Sequence, residues 1–340
     1  MQQSSIIILG IESSCDDTSA AIIKDGKILA NIIANQQVHE AYGGVVPELA
    51  SRAHQQNIVP VVDEAIKQAN INKKEISAVA FTNGPGLLGS LLVGSSFAKA
   101  FSLAMNIPLI EINHMQGHIL AHFIEEENTT KKQPHFPFLC LTVSGGHTQI
   151  VKVTDYFKME VLGETIDDAA GEAFDKVAKM LNLPYPGGPI LDKYAQLGNS
   201  SNYKFTHPKV FNLNYSFSGL KTGVLYFLKN ELQKNKNFIQ ENLYDICASV
   251  QKTIVDILLI NLNKAIKQTG IKDIAIAGGV SANSELRKRL TNLSSDYNIF
   301  IPKMEYCTDN AAMIAIAGYY KYLQQDFASQ NVTPNARMKV

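Results

Sequence analysis

The feature that most constrains this chain is an internal repeat. The segment IIILGIESSCDDTSAAIIKDGKILANII near the start reads as apolar strand, small polar turn and apolar strand, with Asp25-Gly26 as a hairpin turn. The same grammar returns from residue 138 in FLCLTVSGGHTQIVKVTDYFKMEVLG. A second pair supports the first. Residues 75–112 run strand, glycine turn (NGPG), helix and strand, and residues 271–302 run strand, glycine turn (GGVSAN), helix and strand. In each half the next element is polar and helix-like, beginning near His114 in one and near Thr308-Asp309 in the other. Two halves of like plan predict two similar α/β domains facing each other across a cleft. The expected organisation is 1–130, then 131–322, then a tail over 323–340, with the boundary in the polar stretch EEENTTKKQPHFP. Two long helices are expected near 48–70 and 240–269.

The chain of 340 residues carries 31 basic and 31 acidic side chains, so an anionic partner must be met by a local patch. No basic leader opens the sequence, and no stretch approaches the roughly 20 uninterrupted apolar residues of a spanning helix, so no membrane is expected. Cys15, Cys140, Cys247 and Cys307 form no CxxC pair, which fits reduced thiols and a cytoplasmic protein.

Several motifs carry chemistry. In INHMQGH, His114 and His118 stand one helical turn apart, a bidentate spacing for a divalent metal, directly after a strand. The repeat puts Asp309 at the corresponding place in the other half, which predicts a two-histidine, one-carboxylate set spanning the cleft. The glutamate that follows the first histidine in zinc proteases is Met115 here, so proteolysis lacks its base. The turns TVSGGHT and AGGVSAN expose backbone N–H groups where a phosphate could approach, and with CDDTS they make three polar loops for one nucleotide. None matches a GxxxxGK[ST] or GxGxxG fingerprint. On a helix starting near Ile166, Asp168, Glu172 and Asp175 share a face, and their mutual repulsion favours a ribose or metal contact. Beyond it lie the close-approach glycines Gly187 and Gly188 and the acceptor Asp192. Finally, residues 201–238 hold six lysines (204, 209, 221, 229, 234, 236) against Glu231, interleaved with Tyr203, Phe205, Phe211, Tyr215 and Phe217, a pattern suited to RNA phosphates and bases.

Taken in order, GIESSCDDTSAAI, YGGVVPELASRAH, NGPGLLGSLLVG, NHMQGH, VSGGHTQI, GETIDDAAGEAFDKVAKMLNLPYPGGP, YSFSGLKT, AGGVSANSELR and YCTDNAAMIA resemble the universal tRNA N6-threonylcarbamoyladenosine transferase (TsaD) family, from about residue 6 to 318. The resemblance implies the ASKHA (actin, sugar kinase, Hsp70-like) fold. It implies an acyltransferase that moves the threonylcarbamoyl group from threonylcarbamoyl-AMP to N6 of adenosine 37 in tRNAs reading ANN codons. By motif, His114, His118 and Asp309 resemble the ligands of one divalent metal, Fe2+ first and Zn2+ as the alternative. Val143, Ser144, Gly145, Gly146 and His147, with Asp175, Gly188, Asp192 and Asn283, resemble the adenylate site, and Asp16 resembles the family's active-site aspartate. Archaeal members carry a tyrosine just before VSGG; Thr142 stands there, and TPNARMKV resembles the bacterial tail. The partners implied are tRNA, a smaller ASKHA paralogue (TsaB-like) and a P-loop ATPase (TsaE-like), and this chain has no Walker motif of its own. A small-molecule kinase of the same fold is the main rival, followed by a metalloendopeptidase and a non-catalytic scaffold.

Overall fold

The computed structural model describes residues 5–36, 39, 42–127, 132–208 and 210–340. The chain forms two compact units, one of Met1–Gln133 with Pro302–Val340 and one of Pro134–Ile301. The first contains strands β1 (Ile7–Glu12), β2 (Thr18–Lys24), β3 (Lys27–Ala34), β4 (Ala78–Gly84) and β5 (Leu109–Asn113). They form one sheet in the order β3-β2-β1-β4-β5. Here β1 pairs antiparallel with β2 and parallel with β4. The second unit contains β6 (Phe138–Val143), β7 (Thr148–Asp155), β8 (Lys158–Glu164), β9 (Asp273–Ala277) and β10 (Asn298–Phe300) in the order β10-β9-β6-β7-β8. Again the first strand pairs antiparallel with the second and parallel with the fourth. The repeat in the sequence is therefore a repeat of sheet topology, element for element.

Helices α1 (Pro47–Gln68) and α2 (Leu88–Met105) cover the first sheet. Ile7, Leu9 and Ile11 of β1 point to them, packing with Ile58, Val61, Val62 and Ala65 of α1 and Ala98 of α2. Among the described helices only α2 is long and apolar enough to cross a membrane. It lies on β4 and α1, and it turns Ser90, Ser95 and Ser102 inward beside Leu91 and Ala98. Burial of β1 on both faces explains its continuous apolar run.

The other face of β1 is covered by the last helix, which departs from the expected division. The second half was expected to run to 322, but α9 (Ala311–Leu323) packs on β1, β2 and β4 of the first sheet. Its all-round apolar sequence AAMIAIAG needs a sheet surface on one side and further packing on the other, and α3 (His114–Leu120) supplies part of the second. Gly10 makes the approach possible: a Cβ there would lie 2.6 Å from the Ala311 carbonyl oxygen. The consequence for the site is direct. Asp309 belongs to the same unit as His114 and His118, so the three make a site within one unit and do not span a cleft.

In the second unit, α4 (Ala170–Met180), α6 (Ser218–Lys234), α7 (Phe238–Thr269) and α8 (Ser284–Thr291) bury Phe174, Val177, Val224, Leu228, Ile254, Leu258 and Leu286 with Leu139, Leu141 and Ile274 of the sheet. Between α4 and α6 lies α5 (Gly187–Ala195), packed on α4 and α7.

Candidate metal centre and glycine-turn loops

Two asparagine caps build the candidate metal centre. Asn113 ends β5 and caps α3, its Oδ1 accepting from the amides of Met115 (2.9 Å) and Gln116 (3.2 Å), so His114 enters the helix at its first position. Asn310 caps α9 by accepting from the Met313 amide at 3.1 Å, which leaves Asp309 immediately before the helix. The packing of α3 on α9 then brings the ligands together. The Nε2 atoms of His114 and His118 lie 3.4 and 3.1 Å from Asp309 Oδ1. One ligand atom from each residue lies within 4.8 Å of the other two, a spacing that could hold a metal ion.

The surroundings fit that use. Glu12, fully buried at the end of β1, places Oε2 3.0 Å from His114 Nδ1 and so directs Nε2 toward the centre, the arrangement by which a carboxylate orients a metal-binding histidine. Ser14 Oγ lies 3.1 Å from the same nitrogen, and Thr82 donates to Glu12 Oε2 at 2.6 Å. Burial opposes a charge on His114, but the carboxylates of Asp309 and Glu12 outweigh it and raise its pKa well above the ordinary value. Burial likewise would raise Asp309, yet His114 and His118 hold it well below the carboxylate range. This cluster of opposite charges is suited to exchanging protons for a cation.

The loop bearing Asp16 is held from two helices. His54 of α1 places Nε2 3.0 Å from the Cys15 carbonyl and Nδ1 2.7 Å from Thr18 Oγ1, and Ser90 of α2 donates to the same carbonyl at 2.9 Å. Burial lowers the His54 pKa. The ring is therefore neutral, with its proton on Nε2 for the carbonyl and Nδ1 accepting from Thr18. Asp17, which the sequence reading passed over, is the perturbed carboxyl of this loop. Burial, then the like charges of Asp16, Asp309 and Glu12, push it up to about 7. The signal was present in the crowding of three acids in ESSCDD. Burial pushes the Cys15 and Cys140 thiols far up and Cys247 up to about 12, so none of these three is a ready thiolate nucleophile.

The loops of the second unit are joined to its helices by a series of hydrogen bonds. Ser144 accepts from Gly171 of α4 at 3.2 Å and closes its own turn with His147 at 2.8 Å, leaving Gly145 and Gly146 exposed at the tip. Val143 is buried at the end of β6. Asp175 Oδ1 accepts from the amides of Gly187 (2.9 Å) and Gly188 (3.0 Å) at the start of α5. At the middle of α5, Asp192 accepts from the amide (3.1 Å) and hydroxyl (2.6 Å) of Ser284 at the start of α8. Asn283 caps α8 through Leu286 and donates to Gln251 at 2.9 Å. Asp175 Oδ2 takes neither amide bond, and each Asp192 oxygen accepts only one of the Ser284 bonds, so these contacts fix the acceptors without exhausting them. Ser284 and Gln251 also line a polar cavity of about 400 Å³ with Lys252, Glu285 and Lys288.

Two sequence expectations are corrected here. The helix expected from Ile166 begins at Ala170, and the acids before and within it meet the protein's own cations: Lys176 pairs with Asp168 (2.8 Å) and Glu172 (2.7 Å), and Lys221 approaches Asp168 at 3.5 Å. Of that group only Asp175 is directed to backbone amides. Asp167, unremarked in the sequence, instead receives the YSFSG turn through Ser216, Phe217 and Ser218, whose hydrogen bonds outweigh burial and lower its pKa. The aromatics of the basic stretch are likewise mostly turned to the protein's own side chains. Of the five aromatics named there, Tyr203 and Phe205 pack on Phe227, Tyr215 and Phe217 are in the core, and Phe211 is 91% exposed; Tyr226 of the same stretch is exposed as well. Lys204, Lys229 and Lys236 are exposed, while Lys234 pairs with Glu231; Lys209 lies outside the described residues.

Comparison with known proteins gives these loops a context. A family model for tRNA N6-adenosine threonylcarbamoyltransferase matches residues 27–316. The chain belongs to this family. Curated members are similar over the full length: the Christiangramia forsetii enzyme is 65% identical over 100% of both chains. That of Riemerella anatipestifer is 60% identical over 100% of this chain and 99% of its own. Among solved structures, HypF of T. kodakarensis superposes with a TM-score of 0.61 at 14% identity over 97% of this chain and 49% of that one. Component A of the Acidaminococcus fermentans (R)-2-hydroxyglutaryl-CoA dehydratase superposes with a TM-score of 0.53 at 16% identity over 94% and 99%. These two share the fold, which is the ASKHA fold.

Proposed function

We propose that this chain transfers the threonylcarbamoyl group of threonylcarbamoyl-AMP to N6 of adenosine 37 in tRNAs that read ANN codons. The observation that carries the reading is the full-length identity to enzymes of that name, 65% for the first of them, across both halves of the duplication. The adenylate is a mixed anhydride, so no covalent enzyme nucleophile is needed: N6 attacks the carbamoyl carbon, the bond to the phosphate oxygen breaks, AMP departs and N6 gives up a proton. The exocyclic amine is weakly nucleophilic, so holding it at the carbonyl and stabilising charge on oxygen are where a protein gains most.

His114, His118 and Asp309 would hold one divalent ion, and the two-histidine, one-carboxylate donor set favours Fe2+, with Zn2+ the alternative. When bound, such an ion supplies Lewis-acid stabilisation of negative charge on oxygen. Glu12 keeps His114 Nε2 directed to the centre. The amides of the Val143–His147 loop are assigned to the substrate's anionic oxygens, Asp175, Gly188 and Asp192 to its ribose side, and Asn283 to its base. Asp16 is assigned to the N6 amine, as the group that orients or deprotonates it. The ATPase and the smaller paralogue are separate chains in this reading, and the setting is cytoplasmic.

The test is reconstitution with threonylcarbamoyl-AMP, unmodified tRNA and the partner proteins, with and without chelator, reading modified adenosine by mass spectrometry. Transfer that is lost with chelator and restored by metal supports the reading; ATP-dependent phosphorylation of a small molecule with no modified adenosine overturns it. Asp16→Ala should abolish transfer and leave adenylate binding nearly intact, and surviving transfer would remove Asp16 from its role.

A further inference from the structure

After α9 the chain does not leave the first unit but runs back across it. The Ala328 amide donates to the Leu109 carbonyl of β5 at 2.8 Å, and the Asn335 amide donates to Asn83 at the end of β4, also at 2.8 Å. Gly86 donates to the Ala336 carbonyl at 3.2 Å. Position 84 is shaped for this run, because a Cβ on Gly84 would lie 1.9 Å from the Asn335 carbonyl oxygen. The loop that follows Gly86 is also linked to the candidate centre: the Leu87 amide donates to the Ser14 carbonyl at 2.7 Å, and Ser14 Oγ lies 3.1 Å from His114 Nδ1. The last contact is the most direct. Asn113 Nδ2 donates to the Lys339 carbonyl at 2.8 Å, while Oδ1 of the same amide caps the helix that begins with His114.

We propose that the segment 333–339 is a strap that positions the ligand helix α3, acting through the Asn113 side chain and through the loop that follows Gly86. Asn113 is 3% exposed. An amide with both ends engaged has one orientation, with Oδ1 toward the helix amides. Take away the Lys339 carbonyl and Nδ2 is a buried donor without a partner, a costly state that is relieved by rotating the amide and loosening the cap. The strap thus holds the helix bearing His114 and His118 in register with Asp309. It rests, for its effect on metal, on the reading that these three residues are ligands.

The test uses the full chain, a variant lacking residues 338–340, Asn113→Ser, and the two changes combined. Serine keeps a capping oxygen but has no second donor to offer the strap. Zn2+ affinity is measured by competition with a chromophoric chelator, and amide exchange of 114–120 is measured on metal-free protein. Each single variant should bind Zn2+ about 10-fold more weakly, as expected for loss of a group that orients a ligand. The combination should be no weaker than either alone, since both break one contact. Exchange in α3 should quicken while β1 and β4 keep their protection. Unchanged exchange in α3, additive losses of affinity, or an equal loss of protection throughout β1–β5 would each overturn the strap. If the full chain binds neither Zn2+ nor, under anaerobic conditions, Fe2+, the metal reading falls, and the exchange of α3 alone decides the strap.

Discussion

Asp17 gives the sharpest physical test of the crowded loop. Its carboxyl is pushed up from 3.8 to about 7, so the folded, metal-free protein holds a proton there that the unfolded chain has already released. The sign follows. A raised carboxyl favours folding fully below about pH 4, and that contribution is lost as pH rises to about 7, then stays flat. Three units at 1.36 kcal/mol each make about 4 kcal/mol, an upper figure because neighbouring charges relax. Asparagine keeps the shape and cannot ionise. Asp17→Asn should therefore be more stable than the parent by about 2–4 kcal/mol at pH 8, and by far less at pH 4.5. Both proteins contain the His114–Asp309 cluster, so only the part of its titration that is coupled to Asp17 enters the difference. The assay is urea unfolding in chelator at the two pH values, followed by the fluorescence of the 13 tyrosines, since the chain has no tryptophan. An equal difference at both pH values, or a variant less stable at pH 8, would refute the crowding of Asp17 by Asp16, Asp309 and Glu12.

Other outcomes are expected from the same geometry. Glu12→Gln should keep the folded content by circular dichroism and weaken Zn2+ binding about 10- to 100-fold by chelator competition, because it removes the charge that orients His114. Ser284→Ala deletes the 2.6 Å bond to Asp192; calorimetry should show adenylate binding weakened roughly 5-fold, about 1 kcal/mol, with turnover at saturation little changed. Gly10→Val forces side-chain atoms into the α9 backbone and should cost about 3 kcal/mol or more of stability in thermal unfolding, with metal affinity falling as Asp309 shifts.

The sequence made the duplication legible because each half repeats strand, hairpin and crossover in one order, and strand-to-helix glycine turns mark both crossovers. His114, His118 and Asp309 were also legible as a set, though for an incomplete reason. The repeat placed Asp309 in the second half, whereas α9 belongs to the first unit because its apolar surface fits the bare face of β1, β2 and β4. Chain order does not reveal which sheet a terminal helix covers. The acids 168 and 172 misled for a local reason: Glu172 and Lys176 are four apart on one helix, and that pairing was readable. The aromatics of 201–238 misled because interleaving in sequence says nothing of direction, and Tyr215 and Phe217 point into the core. Glu12 was missed although a lone acid in a wholly apolar strand is itself a signal.

The return of α9 to the first sheet also sets an order of assembly at the ribosome. His118 and Asp309 are 191 residues apart, which at about 5–20 residues per second is roughly 10–40 s of synthesis. Through that interval β1, β2 and β4 are made but lack the helix that covers them, while everything needed for the second unit, Pro134–Ile301, emerges first. A nascent chain stalled before residue 309 has both histidines and no carboxylate to complete the set. Completion of the three-residue set is thereby a late event in the making of each molecule.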